Sequence, residues 1–343
     1  MPRRCLLVPL LLASCAHAQF TRLNSNTTES LRGLSTPSSR VAWASGTHGT
    51  YIRTTDGGET WIASQVPGAE ALDFRDVEAF SADTAFLLSA GPGDQSRIYK
   101  TTDGGKTWIL QFTNRDPKGF LDCMAFWDHG HGIVVGDPVG GKFVLISTDN
   151  GGKTWTPIPT EKLPPALDGE GAFAASGSCI AVEGTKNVWF VTGGKVARVF
   201  RSTDRGHSWS VADTPIVHSN ESSGIFSVAF LNSKDGFIAG GDYKNPAQGE
   251  HNLAVTTDGG LSWKGWSISP GSFFSALAPD PVSSSSFLLV GSEKAAYTRD
   301  ISSKKWSVFS DQSLNAVSFY GPGKAYAVGP KGTVVRFVRD PGR

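Results

Sequence analysis

The sequence has no excess of charge of either sign and, beyond its first eighteen residues, no long hydrophobic run. Its 343 residues include 32 basic and 31 acidic side chains, which gives a formal net charge of +1. Neutralised phosphates dominate affinity for nucleic acid, so a chain without a basic excess or stripe is not expected to bind it. No later stretch approaches the length that spans a bilayer.

Signatures of cofactor and metal sites are also lacking. The sequence contains no strand–G-x-G-x-x-G–helix unit, no C-x-x-C-H haem motif and no C-x-x-C pair. His129 and His131 form an H-x-H pair, but the surrounding Asp and Gly residues favour a polar hairpin turn over a metal site. We therefore expect no cofactor and no metal.

Glycine and proline, by contrast, are abundant, with 40 and 19 residues. Glycine marks turns that need positive φ, while proline avoids helix interiors and central strands. The apolar share of 39% is enough to fill a core. This composition favours a large all-β domain.

The first eighteen residues resemble an export signal. Arg3 and Arg4 precede a short apolar stretch, and Ala16-His17-Ala18 is typical of cleavage before Gln19. Leu12-Ala13-Ser14-Cys15 also resembles a bacterial lipobox, in which Cys15 would be lipidated. Soluble export to the periplasm or medium and a lipid-anchored lipoprotein both remain open. Residues 19–343 are then expected to form one domain.

A tryptophan-ended motif recurs along that domain. Its copies are TTDGGETW, TTDGGKTW, STDNGGKTW, STDRGHSW, TTDGGLSW and a worn TRDISSKKW, whose tryptophans lie 47, 47, 54, 54 and 43 residues apart. We predict that its structural residues are Asp56, Asp103, Asp149, Asp204, Asp258 and Asp300, with Trp61, Trp108, Trp155, Trp209, Trp263 and Trp306. Such regular repetition indicates an architecture built from repeated units.

The motif describes a tight hairpin, here called an aspartate turn. The carboxylate accepts backbone N–H bonds inside its own turn, glycine supplies the positive φ, and tryptophan opens the next strand as an apolar wedge. Four short strands surround each turn, at the spacing of propeller blades. The last unit has only three strands, so the segment 20–24 is predicted to complete it beside 333–338. The sequence thus predicts a single seven-bladed β-propeller closed by an N-terminal strand.

These turns resemble the Asp-box, or bacterial neuraminidase repeat, which joins the two outer strands of a propeller blade. The longer strings AFWDHGHGIVVGDPVGGKF, ARVFRSTDRGHSW and SSGIFSVAF are similar to an exported propeller family that includes the photosystem II assembly factor. Members of that family are often labelled oxidoreductase or glycosyl hydrolase. The resemblance implies that the aspartate turns lie on the lower, outer rim, far from the ligand-binding face.

Enzyme activity has little support in the sequence. The sialidases that share this repeat need an arginine cluster with an F/Y-R-I-P motif, and the nearest string, Tyr51-Ile52-Arg53-Thr54, has the wrong order. The leading hypothesis is a non-enzymatic binding or assembly scaffold of the cell envelope, with a protein or glycan ligand. The alternative is a carbohydrate-active hydrolase whose acid pair includes Glu170 and either Asp137 or Asp242.

Candidate binding residues come from the loops of the upper face, the face that carries the loops from fourth to first strands and from second to third strands. The longest of these loops are predicted at Pro157–Gly171, Asp213–Gly224 and Gly240–Asn252. Long loops on a rigid scaffold commonly carry function. The candidates are Asp137, Glu170, Arg198, His218, Asp242, Tyr243 and Lys244.

Two cysteines, Cys123 and Cys179, remain after the leader. Cys123 is predicted in the first strand of the third unit and Cys179 in the first strand of the fourth, and consecutive first strands are neighbours around the central channel. Export makes a disulfide between them feasible. Free buried cysteines are the other interpretation, since adjacent inner strands diverge and a bridge requires close Cα atoms.

Overall fold

A computed structural model describes residues 19–247, 251–266, 268, 271–283, 285–303, 305–310 and 313–339. In these ranges the chain forms seven antiparallel sheets, and the first strands of successive sheets contact one another in a closed ring. The predicted all-β, seven-bladed propeller is confirmed. The signal-peptide prediction for residues 1–18, with Cys15, lies outside the described residues.

The strands are short and follow one another almost without helix. The first three blades and the closing strand use β1 Gln19–Leu23, β2 Leu31–Ser35, β3 Ala42–Gly46, β4 Thr50–Thr54, β5 Ile62–Gln65, β6 Phe74–Ala79, β7 Ala85–Ser89, β8 Arg97–Thr101, β9 Ile109–Thr113, β10 Leu121–Phe126, β11 Gly132–Val139, β12 Lys142–Thr148 and β13 Thr156–Pro157. The fourth and fifth use β14 Glu170–Gly171, β15 Ile180–Glu183, β16 Asn187–Val191, β17 Gly193–Gly194, β18 Arg198–Ser202, β19 Ser210–Asp213, β20 Ser223–Phe230, β21 Gly236–Asp242, β22 Leu253–Thr256 and β23 Lys264–Trp266. The last two use β24 Ala276–Pro279, β25 Phe287–Val290, β26 Lys294–Thr298, β27 Ser307–Ser310, β28 Ala316–Gly321, β29 Lys324–Gly329 and β30 Thr333–Val338. Short 3₁₀ turns occur at Gly93–Gln95 and Ile301–Ser303.

Each blade is an up-and-down sheet whose first strand lines the central channel. Blades 1, 2, 3 and 6 are β2–β5, β6–β9, β10–β13 and β24–β27. Blade 4 is β15-β16-β18-β19, and blade 5 is β20–β23 extended on its inner side by the two-residue strands β17 and β14. Buried aliphatic and aromatic side chains fill the spaces between blades, which is where the core lies. No helix among these residues is long and apolar enough to cross a membrane.

The ring is closed by strand β1. It pairs antiparallel with β30, with Phe20 opposite Phe337 and Leu23 opposite Val334. The Phe20 ring packs on Phe309 and Phe337 at centroid distances of 4.9 and 5.3 Å. The predicted closure is confirmed, and it removes an open sheet edge that would otherwise invite aggregation.

The aspartate turns are held by a repeated set of hydrogen bonds. In blade 2 the Thr101 hydroxyl donates to Asp103 at 2.9 Å, and Asp103 accepts the Thr107 amide at 2.9 Å and the Thr107 hydroxyl at 2.6 Å. The bonds from Thr107 lower the pKa of Asp103 to about 2. Asp56, Asp204 and Asp258 accept equivalent bonds. These carboxylates are therefore occupied in maintaining their own turns.

One of the predicted turn residues differs in the structure, and the turn of blade 6 has an altered hydrogen-bond pattern. In blade 3 it is Asn150, not Asp149, that accepts from Thr148 at 3.1 Å and from the Thr154 amide at 3.0 Å. The motif there starts at Thr148 rather than Ser147. Asp149 therefore occupies the variable position between the hydroxyl residue and the residue that accepts its hydrogen bond. In blade 6 the Thr298 hydroxyl donates to the Lys305 carbonyl at 2.8 Å, while the Asp300 amide donates to Thr298. That turn has an extra residue and contains the 3₁₀ segment Ile301–Ser303.

Substitutions of the neighbouring residues Asn150 and Asp149 are expected to have unequal effects on the Tm. Asn150→Ala should lower the Tm by about 2–4 °C, because the Thr154 amide loses its acceptor. Asp149→Ala serves as the matched control and should leave the Tm unchanged. Differential scanning calorimetry of both variants decides the assignment, and a larger loss for Asp149→Ala would reverse it.

Candidate functional site

One concavity of the upper face lies at the mouth of the central channel and is called here the upper-mouth pocket. Its volume is about 450 Å³. Its walls combine two arginines, a cluster of aromatic rings, two alanines and a few small polar side chains. The lining residues are Arg32, Arg75, Phe173, Ala174, Ala175, Phe226, Tyr243, Phe273, Ser275, Ser292 and Asn315. A concave, largely apolar surface with a few convergent polar groups is the usual form of a binding site.

A recurring irregularity of the first strands brings the arginines to this mouth. In β2 the pairing with β3 skips Arg32, and in β6 the pairing with β7 skips Arg75. The same shift in β20 leaves out Phe226. A β-bulge redirects the extra residue's side chain, and at these positions the redirected side chains line the pocket. Propeller symmetry thus gathers residues that lie far apart in the sequence.

The two guanidinium groups differ in their partners. Arg75 donates from Nε to Asp73 at 2.6 Å and from Nη1 to the Ala174 carbonyl at 2.9 Å. Arg32 forms no ion pair within the described part of the chain, and its buried Nε has no hydrogen-bond partner there. Burial, and next the charge of Arg75, lower the pKa of Arg32. Arg32 is therefore a charged group with unused donors.

The aromatic wall faces these arginines. The Phe173 and Phe226 rings are stacked, with centroids 4.0 Å apart and an interplanar angle of 6°. Phe273 meets Phe226 edge to face at 4.8 Å, and Tyr243 lies against Phe226 at 6.1 Å. Tyr243 is 45% exposed. Of the seven predicted binding residues, Tyr243 alone lines this pocket.

Glu170 and Arg198, both predicted binding residues, form a buried ion pair instead. The Arg198 Nε and Nη2 atoms lie 2.9 and 2.5 Å from the two Glu170 oxygens. Glu170 also accepts from the Thr192 hydroxyl at 2.6 Å and the Leu167 amide at 2.9 Å. The Glu170 side chain is fully buried. This pair fixes the long loop before blade 4 and engages both oxygens of Glu170.

The acidic candidates Asp137 and Asp242 have structural contacts as well. Asp137 lines a neighbouring hollow of about 380 Å³ with Glu170 and accepts the Ala172 amide at 2.9 Å. Burial raises the pKa of Asp137. For Asp242, burial alone would raise the pKa, but hydrogen bonds from Asn245, Ser222 and Asn220 outweigh it and lower the pKa. Asp242 thereby orders its own loop.

The remaining predicted residues, His218 and Lys244, are exposed on upper-face loops. The His218 Nδ1 atom lies 2.7 Å from the Ile216 carbonyl, and the Lys244 amide donates to Asp242 at 2.9 Å. Neither residue lines the upper-mouth pocket. The structure does not bring the seven predicted residues together as one site.

Sequence reasoning also missed a set of carboxyl groups inside the channel. Burial raises the pKa of Asp76 to about 7, against hydrogen bonds from the amides of Met124 and Val77 that lower it. Burial, and then the charge of Asp76, raise the pKa of Glu78. Across the described ranges, no group of three or more His, Cys, Asp or Glu residues is arranged to hold a metal ion.

These raised pKa values predict that stability falls as the pH rises from about 4 to about 7. In this window the unfolded Asp76 has released its proton while the folded one retains it, so ionisation favours unfolding. Asp76→Asn should therefore raise the free energy of unfolding by about 1–3 kcal/mol at pH 8 and change it little at pH 4. Urea denaturation across this pH range measures the difference. Asp83→Asn, at an exposed carboxyl, is the control, and an Asp76→Asn effect of equal size at both pH values would contradict the prediction.

The fold and site define a seven-bladed propeller with a polar and aromatic pocket at the upper mouth of its channel. A solved structure described as YCF48 bound to D1 peptide is similar, with a TM-score of 0.64, 17% identity, and coverage of 95% of this chain and 98% of that one. YCF48 from Cyanidioschyzon merolae matches at 14% identity with a TM-score of 0.47, over 93% and 98% of the two chains. No protein-family model and no curated protein matches. The predicted resemblance to the photosystem II assembly factor is thus confirmed at the level of the fold.

Proposed function

We propose that this chain is a non-enzymatic binding scaffold of the cell envelope and that its upper-mouth pocket binds a protein segment with a carboxylate beside an apolar side chain. The observation that carries the proposal is Arg32, a guanidinium group without an ion-pair partner in the described residues, in a concave pocket with an aromatic wall. Arginine binds carboxylates through parallel, charge-assisted hydrogen bonds. The rings of Phe226 and Phe273 offer the adjoining apolar contact.

Two further points support this assignment. The similar YCF48 structure holds a peptide, which is a precedent for a protein ligand on this fold. The leader-like sequence before Gln19 supports export, either with cleavage there or with lipid attachment at Cys15. A glycan remains the other ligand class to test, because an exposed aromatic ring such as Tyr243 also packs against sugars.

The hydrolase alternative loses its proposed acid pair. Both Glu170 oxygens accept hydrogen bonds from Arg198, and Asp242 accepts bonds from Ser222, Asn220 and Asn245. A glycosidase needs one carboxyl group free to donate a proton and a second free to act as base or nucleophile. These residues are committed to loop structure, which favours the scaffold.

Arg32→Gln tests the proposal directly. Twelve-residue peptides selected for binding from a random display library should be enriched in acidic and apolar residues. Loss of a charge-assisted contact should weaken binding of these peptides to the variant by about 10–100-fold. Arg40→Gln, at an exposed arginine between β2 and β3, is the control and should bind as the wild type does. Fluorescence polarisation gives the affinities, and a glycan array run in parallel tests the other ligand class. Equal affinity for both variants, or binding to glycans alone, would refute the proposal.

A further inference from the structure

The central channel is crossed near its upper end by residues 172–179, called here the floor segment. The Ser176 hydroxyl donates to the Ser275 carbonyl next to blade 6 at 3.0 Å, while Arg75 of blade 2 donates to the Ala174 carbonyl at 2.9 Å. Blades 2 and 6 are not neighbours of blade 4, which follows this segment. The segment therefore spans the channel rather than following its wall.

The floor segment is also part of the upper-mouth pocket. Phe173, Ala174 and Ala175 line that pocket, and the Phe173 ring stacks on Phe226. Any displacement of the segment would change the pocket's shape and open the channel beneath it. The pocket is therefore closed at its base only while the floor segment stays in this position.

The side-chain contacts of the segment include the Phe173 ring and hydrogen bonds from the hydroxyls of Ser176 and Ser178. Apart from Phe173, its residues are alanine, serine, glycine and the terminal Cys179. Its backbone is held by individual hydrogen bonds, such as those from the Ala172 amide to Asp137 at 2.9 Å and from the Val228 amide to the Ser178 carbonyl at 2.9 Å. Small side chains bury little apolar area, so they stabilise the segment weakly.

A disulfide bond supplies stabilisation that these small side chains do not. Cys179 at the end of the segment is joined by a disulfide to Cys123 on β10, with Cα atoms 6.0 Å apart. Both cysteines are fully buried. Two thiols cannot remain at bonding distance, and a close-packed interior leaves them little room to separate unless the backbone moves. The floor segment, with its small side chains, is the element best able to move.

We propose that the Cys123–Cys179 disulfide is a redox-sensitive anchor of the floor segment, so that its reduction releases the segment and dismantles the floor of the upper-mouth pocket. A dithiol reductant carries out the step. Once a local opening of the floor segment exposes the bond, one reductant thiolate attacks a cystine sulfur to form a mixed disulfide, and the other cystine sulfur leaves and takes a proton. The second reductant thiol then displaces the remaining cysteine, which leaves two cysteine thiols and one oxidised reductant. The upper-mouth pocket is the one to which the proposed function assigns ligand binding, but the mobility of the floor segment can be measured without any ligand.

Hydrogen exchange with mass spectrometry on the ligand-free protein tests this inference. Three forms are compared: the oxidised protein, the dithiothreitol-reduced protein and the Cys123→Ser/Cys179→Ser variant. The conditions are those in which near-ultraviolet circular dichroism shows native packing for each form. Amides of the floor segment should exchange on the order of tenfold faster in the reduced and variant forms. Amides of the blade 2 aspartate turn, 101–108, should be unchanged in all three.

Equal exchange of the floor segment in all three forms would overturn the inference. A floor-segment acceleration no larger than that of the aspartate turn 101–108 would overturn it as well, because the change would then reflect lower stability of the whole ring rather than release of this segment. Neither outcome depends on the ligand, so a failure here is distinguishable from a failure of the proposed function.

Discussion

Replacing Arg198 with alanine is expected to lower the free energy of unfolding by about 3–5 kcal/mol, because the substitution leaves the Glu170 carboxylate buried without its counter-ion. The Glu170 side chain is fully buried and that of Arg198 is 8% exposed, so water cannot replace the lost partner without opening the loop. The Thr192 hydroxyl and the Leu167 amide still donate to Glu170, but neither neutralises its charge. Urea denaturation followed by tryptophan fluorescence measures the loss.

Two further variants separate charge from packing. Glu170→Gln/Arg198→Met removes both charges and should recover much of the lost stability, since a neutral pair carries no uncompensated charge. Lys195→Ala removes an exposed partner of Asp168 and should change stability little, as exposed ion pairs contribute little. If Arg198→Ala costs no more than Lys195→Ala, Glu170 and Arg198 do not stabilise the loop as described.

Loss of the disulfide is the second large effect expected. The bond closes a loop with a sequence separation of 56 residues, for which the chain-entropy model gives about 4 kcal/mol. The Cys123→Ser/Cys179→Ser variant should therefore unfold at a lower urea concentration while keeping a cooperative transition. Single-serine variants should lose a comparable amount, because either substitution breaks the same bond.

The state of the cysteines is checked independently of stability. Intact-mass analysis after alkylation of denatured, unreduced protein, expressed with export to the periplasm, should show no modified cysteine among residues 19–343. The same protein treated with reductant first should show two. Two alkylated thiols without reductant would mean that the cysteines are free. The predicted loss of stability in the serine variants would then not be expected.

The repeated turns made the blades predictable from sequence, because each aspartate turn carries its own hydrogen bonds and needs no distant partner. The same local reasoning misplaced Asp149, since Ser147 and Thr148 both offer a hydroxyl and only the distance to Trp155 identifies the motif's start. The N-terminal closure was predictable because the last blade lacked a strand.

The pocket was not predictable in the same way. Arg32 and Arg75 lie in first strands that look like ordinary core strands, and only the bulges and the closed ring turn their side chains to one mouth. The sequence did contain one signal, an arginine at the same place in two consecutive first strands. Glu170 and Arg198 were predicted on neighbouring loops, whereas the structure places them in the strands β14 and β18. Their mutual distance, which makes them structural, depends on the tertiary fold.

Site-specific photo-crosslinking in intact cells shows whether the upper-mouth pocket binds a protein segment. A benzophenone amino acid is placed at Ser292, an exposed residue of the pocket, and for comparison at Lys106, an exposed residue of the blade 2 aspartate turn. Mass spectrometry then locates the crosslinked residues of the partner. Crosslinks are expected from position 292 to a segment with acidic and apolar residues. They should be lost when Arg32→Gln is added, and position 106 should give none. Crosslinks from position 292 that persist with Arg32→Gln, or a partner captured only at position 106, would contradict binding of a protein segment in this pocket.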